Sequence, residues 1–187
     1  SVSAAAGSLN GFRRHYDVFF MGLAFLLLET KNVVQFALLF GTTWFVNALV
    51  FISVLFSVLL AVEISQRVKL PKPKILYLFL ALSLAANWII PAESLLSLSP
   101  VLRLVSAGTL AFLPIFIANL IFAERFGGEK DSTVAFGANI LGAVLGGILE
   151  YTALMIGYRS LLFIVAAAYA LAFLADVREK STNELSF

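Results

Sequence analysis

Six long apolar runs, at about 17–40, 42–62, 75–91, 101–123, 133–156 and 159–176, take up most of this chain. The segments between them are short and rich in proline, glycine, serine or charge: VEISQRVKLPKPK, PAESLLSLSP, AERFGGEKDS and the tight IGYR. A helix of about 20 apolar residues crosses the roughly 30 Å hydrocarbon layer of a bilayer, and each run is near that length. Apolar residues make up 61% of the chain and charged residues 13%, against roughly 45–50% and about 25% in soluble domains. A single buried core cannot absorb an excess spread over the whole length, so the natural solvent is a bilayer. No strand-like alternation bounded by turns occurs, which argues against a membrane barrel. The expected fold is all-α and polytopic: a cytoplasmic flank at 1–16, a six-helix transmembrane domain at 17–176 and a cytoplasmic tail at 177–187.

The basic residues give this threading a direction. With six crossings, Arg13, Arg14, Arg67, Lys69, Lys72, Lys74, Arg125, Lys130, Arg178 and Lys180 share one side, and only Arg103 and Arg159 lie on the other. This asymmetry predicts that both termini are cytoplasmic. Aromatic residues follow: Tyr16 and Tyr77 are expected at the inner interface, and Trp44, Trp88 and Tyr158 at the outer one. The opening SVSAAAGSLNGFRRHYD does not read as a signal peptide, because its basic pair follows the small residues; a piece of a longer chain is expected.

One basic residue, Lys31, escapes that tally, because LLLETKNVVQ puts Glu29 and Lys31 near the middle of the first run. A turn there would leave the first run too short to span and would abolish the charge asymmetry. An ionised group at the bilayer centre costs at least about 2.5–3.5 kcal/mol. Glu29 and Lys31 lie about 200° apart on a helix and cannot pair face to face. The expected arrangement is a Lys31–Glu150 pair between the first and fifth helices, with Glu29 facing the bundle interior and Gln35 one turn beyond Lys31. It serves either as a structural bridge or as a proton relay. Asn47, Asn87, Asn119 and Asn139 read as interhelical packing groups, with Asn119 and Asn139 lining an inner cavity as the alternative.

In VAFGANILGAVLGGILE, Gly142 and Gly146 form a GxxxG extended by Ala138, a stripe that lets helix backbones approach closely, within the fold or across an oligomer. Its spacing does not fit a dinucleotide-binding loop. Pro114 in the fourth run frees a backbone carbonyl for a neighbouring polar group. AESLLSLSP is expected to lie as a short amphipathic helix at the outer interface. Arg67, Lys69, Lys72 and Lys74 are placed to touch anionic lipid headgroups. Cysteine is absent, and the one histidine, His15, sits in a basic flank. Disulfides, thiolate chemistry, a bis-histidine haem and a histidine-based metal cluster are therefore excluded within the chain; His15 alone could ligate a pigment, although exposed flank histidines are far commoner, and no cofactor or metal is expected. A net charge of +2 gives no footprint for nucleic acid.

LLLETK…FGTTWFVNA and, much later, GGILEYTALMIGYR resemble the C-terminal transmembrane region of bacterial membrane-bound spermidine-synthase-like proteins, over about Tyr16 to Asp176. In that family a soluble aminopropyltransferase-like domain, which binds decarboxylated S-adenosylmethionine and a polyamine, is joined to polytopic membrane segments. The resemblance implies a membrane module without that chemistry, partnered by other subunits or a fused soluble domain and by membrane lipids. A six-helix unit is also similar to half of a major-facilitator bundle, which keeps open a transporter-like unit moving a small polar or cationic solute.

Overall fold

The computed structural model describes residues 15–127 and 131–184, with side chains as far as 178. Arg13, Arg14 and Lys130 lie outside the described residues, as does the Lys180 side chain. Six principal helices follow in order: α1 (Tyr16–Phe40), α2 (Trp44–Arg67), α3 (Pro73–Ile89), α4 (Pro100–Gly127), α5 (Ser132–Leu149) and α6 (Leu161–Glu184). Five helical segments are long and apolar enough to cross a membrane: Tyr16–Phe40, Trp44–Arg67, Pro100–Gly127, Ser132–Ile156 and Tyr158–Arg178. α3 is a shorter apolar helix of 17 residues.

The breaks between helices follow from local chemistry. Gly41 ends α1 at φ +93°, a left-handed conformation that a side chain disfavours, and Thr43 Oγ1 then accepts from Val46 N at 3.3 Å to cap α2. Pro73 opens α3 at a position where a missing N–H costs nothing. The expected interfacial helix is a 3₁₀ turn, Ala92–Ser97, which buries Ala92 and Leu95 and turns Glu93 and Ser94 outward. After α5 the chain tightens into a 3₁₀ turn at Glu150–Thr152, resumes as a four-residue helix at Ala153–Ile156, and reverses at Gly157. The last helix runs beyond Asp176 to Glu184, so most of the expected tail continues α6.

α1 is the centre of the bundle, packed most extensively against α5 and α6 and also touching α2 and α4. Its contacts fix relative directions. Asp17 meets Arg125 while Asn32 meets Ala111, so α1 and α4 are antiparallel. Gly22 lies against Asn139 and Thr30 against Glu150, so α1 and α5 are parallel. Tyr77 stacks with Phe173 and Trp88 with Phe163, so α3 and α6 are antiparallel. α2 is peripheral and exposes Phe51, Ile52, Leu55, Phe56 and Leu59 along one flank, an apolar surface that lipid would cover.

Candidate functional site

Midway along α1, three consecutive residues point three ways. Successive residues turn by ~100° around a helix, so Thr30, Lys31 and Asn32 address different neighbours. Lys31 is 2% exposed, and its Nζ donates to Gln35 Oε1, to Asn87 Oδ1 at 2.5 Å and to Asn32 Oδ1 at 3.4 Å. An ammonium has three donors and no acceptor; three amide oxygens therefore saturate it. Both asparagines also use their other end. Asn32 Nδ2 donates to the Ala111 carbonyl at 2.8 Å, and Asn87 Nδ2 donates to the Leu110 carbonyl and to Ser83 O at 3.3 Å.

Of these two α4 carbonyls, that of Leu110 is available because of Pro114. A proline inside a helix has no N–H for the carbonyl four residues earlier, which here is Leu110. In hydrocarbon such a carbonyl costs several kcal/mol unless another group satisfies it. Asn87 supplies that group from α3. The carbonyl freed by Pro114 and the buried charge on α1 are thus resolved by a single side chain.

The expected Lys31–Glu150 pair does not form. Glu150 Oε2 instead accepts from Thr30 Oγ1 at 2.8 Å, because the face of α1 that packs on α5 carries Thr30, while Lys31 faces α3 and α4. Glu29 is half-buried and makes no hydrogen bond or ion pair among the described residues, so it is not enclosed in the bundle interior. Gln35 does join Lys31. The four asparagines divide among three places: Asn87 at Lys31, Asn47 exposed at the start of α2, and Asn119 with Asn139 at a cavity of about 210 Å³. That cavity is otherwise lined by apolar groups such as Phe25, Val58 and Phe122. Asn139 Nδ2 reaches the Val18 carbonyl at 3.3 Å, whereas the buried Asn119 Nδ2 has no partner among the described residues.

The glycine stripe lies inside the fold. A Cβ at Gly142 would collide with the Phe19 carbonyl, and one at Gly146 would lie 2.8 Å from the Leu23 carbonyl. Gly22 on α1 answers them: a Cβ there would collide with the Asn139 backbone. Ala138 is buried in the same seam. The basic linker is exposed at Lys69, Lys72 and Lys74, while Arg67 pairs with Glu63 one turn earlier. Tyr77, expected in the interfacial belt, is instead buried against Phe173, with ring centroids 5.1 Å apart.

No family model, curated protein or solved structure matches this chain. The site therefore rests on its own geometry. That geometry includes a second buried polar centre that sequence reasoning missed. Arg125 Nε, near the end of α4, lies 2.5 Å from Asp17 Oδ2 at the start of α1 and 4.0 Å from Asp176 Oδ1 on α6. The sequence places Arg125 in a linker, where it reads only as a topology charge. Asn32, Ser83, Thr30 and Gly22 were missed as well. Asn32 was the most findable, because it follows Lys31 directly and lies three residues before Gln35. Asp17 and Asp176 carried a weaker signal, as acids at the ends of the first and last apolar runs.

Proposed function

We propose that this chain is a non-catalytic integral membrane module of six crossings that anchors or assembles with a larger protein or complex. The observation that carries the reading is the saturation of Lys31. Its ammonium is held by amides that also hold α4, so the only buried lysine among the described residues joins α1, α3 and α4 and leaves no free coordination for a solute. The antiparallel and parallel helix pairs support alternating threading, with the 17-residue α3 as the sixth crossing. In that threading Arg67, Lys69, Lys72, Lys74, Arg125 and Arg178 fall on one side, which supports cytoplasmic termini. The resemblance to the membrane region of spermidine-synthase-like proteins agrees with a module whose chemistry lies in another domain, in a bacterial inner membrane.

A second reading, a transporter-like half bundle, is favoured by the cavity at Asn119 and Asn139, where an amide donor stands unpartnered. Isolation from the native membrane in mild detergent separates the two. A stoichiometric partner polypeptide, or an intact mass well above 20.3 kDa, supports the module. Absence of both, together with solute uptake into liposomes that Glu29→Gln or Asn119→Leu abolishes, overturns it.

A further inference from the structure

α3 and α6 touch at two places and part between them. Tyr77 meets Phe173 at 5.1 Å and Trp88 meets Phe163 at 4.4 Å. Between these aromatic pairs the lining includes four alanines, Ala81 and Ala85 on α3 and Ala166 and Ala170 on α6, beside larger groups such as Leu84 and Tyr169. The result is an alcove of about 510 Å³ whose wall is almost wholly apolar. Small residues facing each other ordinarily let two helices close together. Here a space remains between the two aromatic contacts.

The two ends of the alcove differ. At the Trp88 end, Arg159 Nη2 donates to the Trp88 carbonyl at 2.7 Å and its guanidinium lies 5.0 Å from the centre of the indole ring, so that cation is engaged. At the Tyr77 end, Lys74 lines the opening one turn earlier, exposed and without an ion pair among the described residues. Lys69 and Lys72, also exposed, precede it. The Tyr77 hydroxyl is buried without a hydrogen-bond partner at this same end.

We propose that this alcove is a binding site for one acyl chain of an anionic phospholipid, whose phosphate is held by Lys74 and Lys72. Tyr77 and Trp88 are eleven residues apart, or ~16 Å along a helix, a length comparable to one phospholipid acyl chain, which fills a leaflet ~15 Å deep. A flexible chain of methylenes can enter between the aromatic pairs. A helix, 10–12 Å across with its side chains, cannot do so without breaking both, which disfavours a partner helix or a second copy. The cationic end fixes polarity: head at Lys74, tail towards Trp88. The inference rests on the chain lying in a membrane, and it stands whether the chain is a module or a transporter.

The test is native mass spectrometry of the full chain released from nanodiscs containing phosphatidylglycerol and phosphatidylcholine in equal amounts. The wild type is expected to retain phosphatidylglycerol. Lys74→Glu should weaken retention by about tenfold or more, since each basic residue near an anionic headgroup contributes roughly a factor of five. Ala85→Phe, which fills the alcove at an exposed position and leaves Lys74 in place, should abolish retention. Ala166→Phe does the same from the other wall, so a folding failure in one variant leaves the other to decide. Arg103→Gln, at a cation held by the Leu96 and Leu98 carbonyls and outside the alcove's lining, should change retention less than twofold. Equal retention of both lipids, retention unaffected by both phenylalanine variants, or a second polypeptide displaced by them would overturn the assignment.

Discussion

Asn87 satisfies Lys31 with its oxygen and the Leu110 carbonyl with its nitrogen, and only the second bond depends on Pro114. Replacing it with leucine, which has a similar branched shape, removes both bonds. Losing one hydrogen bond to a charged group costs about 1.5–3 kcal/mol, and leaving a buried carbonyl unpaired costs about 1–3 kcal/mol more. Asn87→Leu is therefore expected to destabilise by about 3–5 kcal/mol. In a Pro114→Ala background, residue 114 regains an N–H, and the Leu110 carbonyl can be satisfied within α4. The same Asn87→Leu change should then cost about 1–2 kcal/mol less. The double-mutant cycle cancels whatever Pro114→Ala does alone. Reversible unfolding in mixed detergent micelles, followed by tryptophan fluorescence and circular dichroism, gives the four stabilities. A cycle that closes to within about 0.5 kcal/mol would show that Asn87 and the proline carbonyl are independent, and the reasoning would fail.

Other substitutions test separate parts of the molecule. Gly142→Leu should destabilise by about 3 kcal/mol or more, because its side chain would be driven into the Phe19 backbone; Gly137→Ala, on the same helix with open space at its Cβ, should stay within about 1 kcal/mol of wild type. Thr30→Val removes the donor to Glu150 and is expected to cost about 1.5–3 kcal/mol. Lys31→Gln should leave the Thr30 effect unchanged; strong coupling between them would restore the Lys31–Glu150 pairing that the sequence suggested. Arg125→Gln removes the guanidinium beside the buried Asp17 carboxylate and should cost up to about 3–5 kcal/mol, with part of the loss recovered by adding Asp17→Asn. Each is read out by the same unfolding assay.

The helices were legible in the sequence because apolar length is a one-dimensional property. The run at 17–40 became Tyr16–Phe40, and the run expected at 42–62 became Trp44–Arg67, starting two residues later because Gly41 and the Thr43 cap set the break. The consequence of Pro114 was legible for a similar reason: the carbonyl it frees is fixed by counting back four residues. The close approach at Gly142 and Gly146 could be anticipated too, although its partner, α1 through Gly22, could not.

Pairing between helices depends on angle, and there the sequence was ambiguous. Lys31 and Glu150 were matched by charge and depth, yet moving one residue along α1 rotates the side chain by ~100°. That rotation gives Glu150 to Thr30 and turns Lys31 towards a neutral partner on α3. Charge complementarity is a weak guide at this position, because amide oxygens can solvate an ammonium without an opposing charge. Three of them, two fixed by α4 carbonyls, replace the water that Lys31 gives up. The same logic explains why the Asp17–Arg125–Asp176 centre escaped notice. Each residue sits at the end of an apolar run, where a charge needs no explanation until three helix ends are found to converge. In a chain whose helices alternate across a bilayer, those ends must converge on one side, so acids and bases at the ends of non-adjacent runs are themselves candidate partners. For a six-crossing threading that rule puts Asp17, Arg125 and Asp176 on one side together with Glu63, Arg67, Glu124 and Arg178, so it narrows the candidates and leaves the choice among them to the packing of the helices.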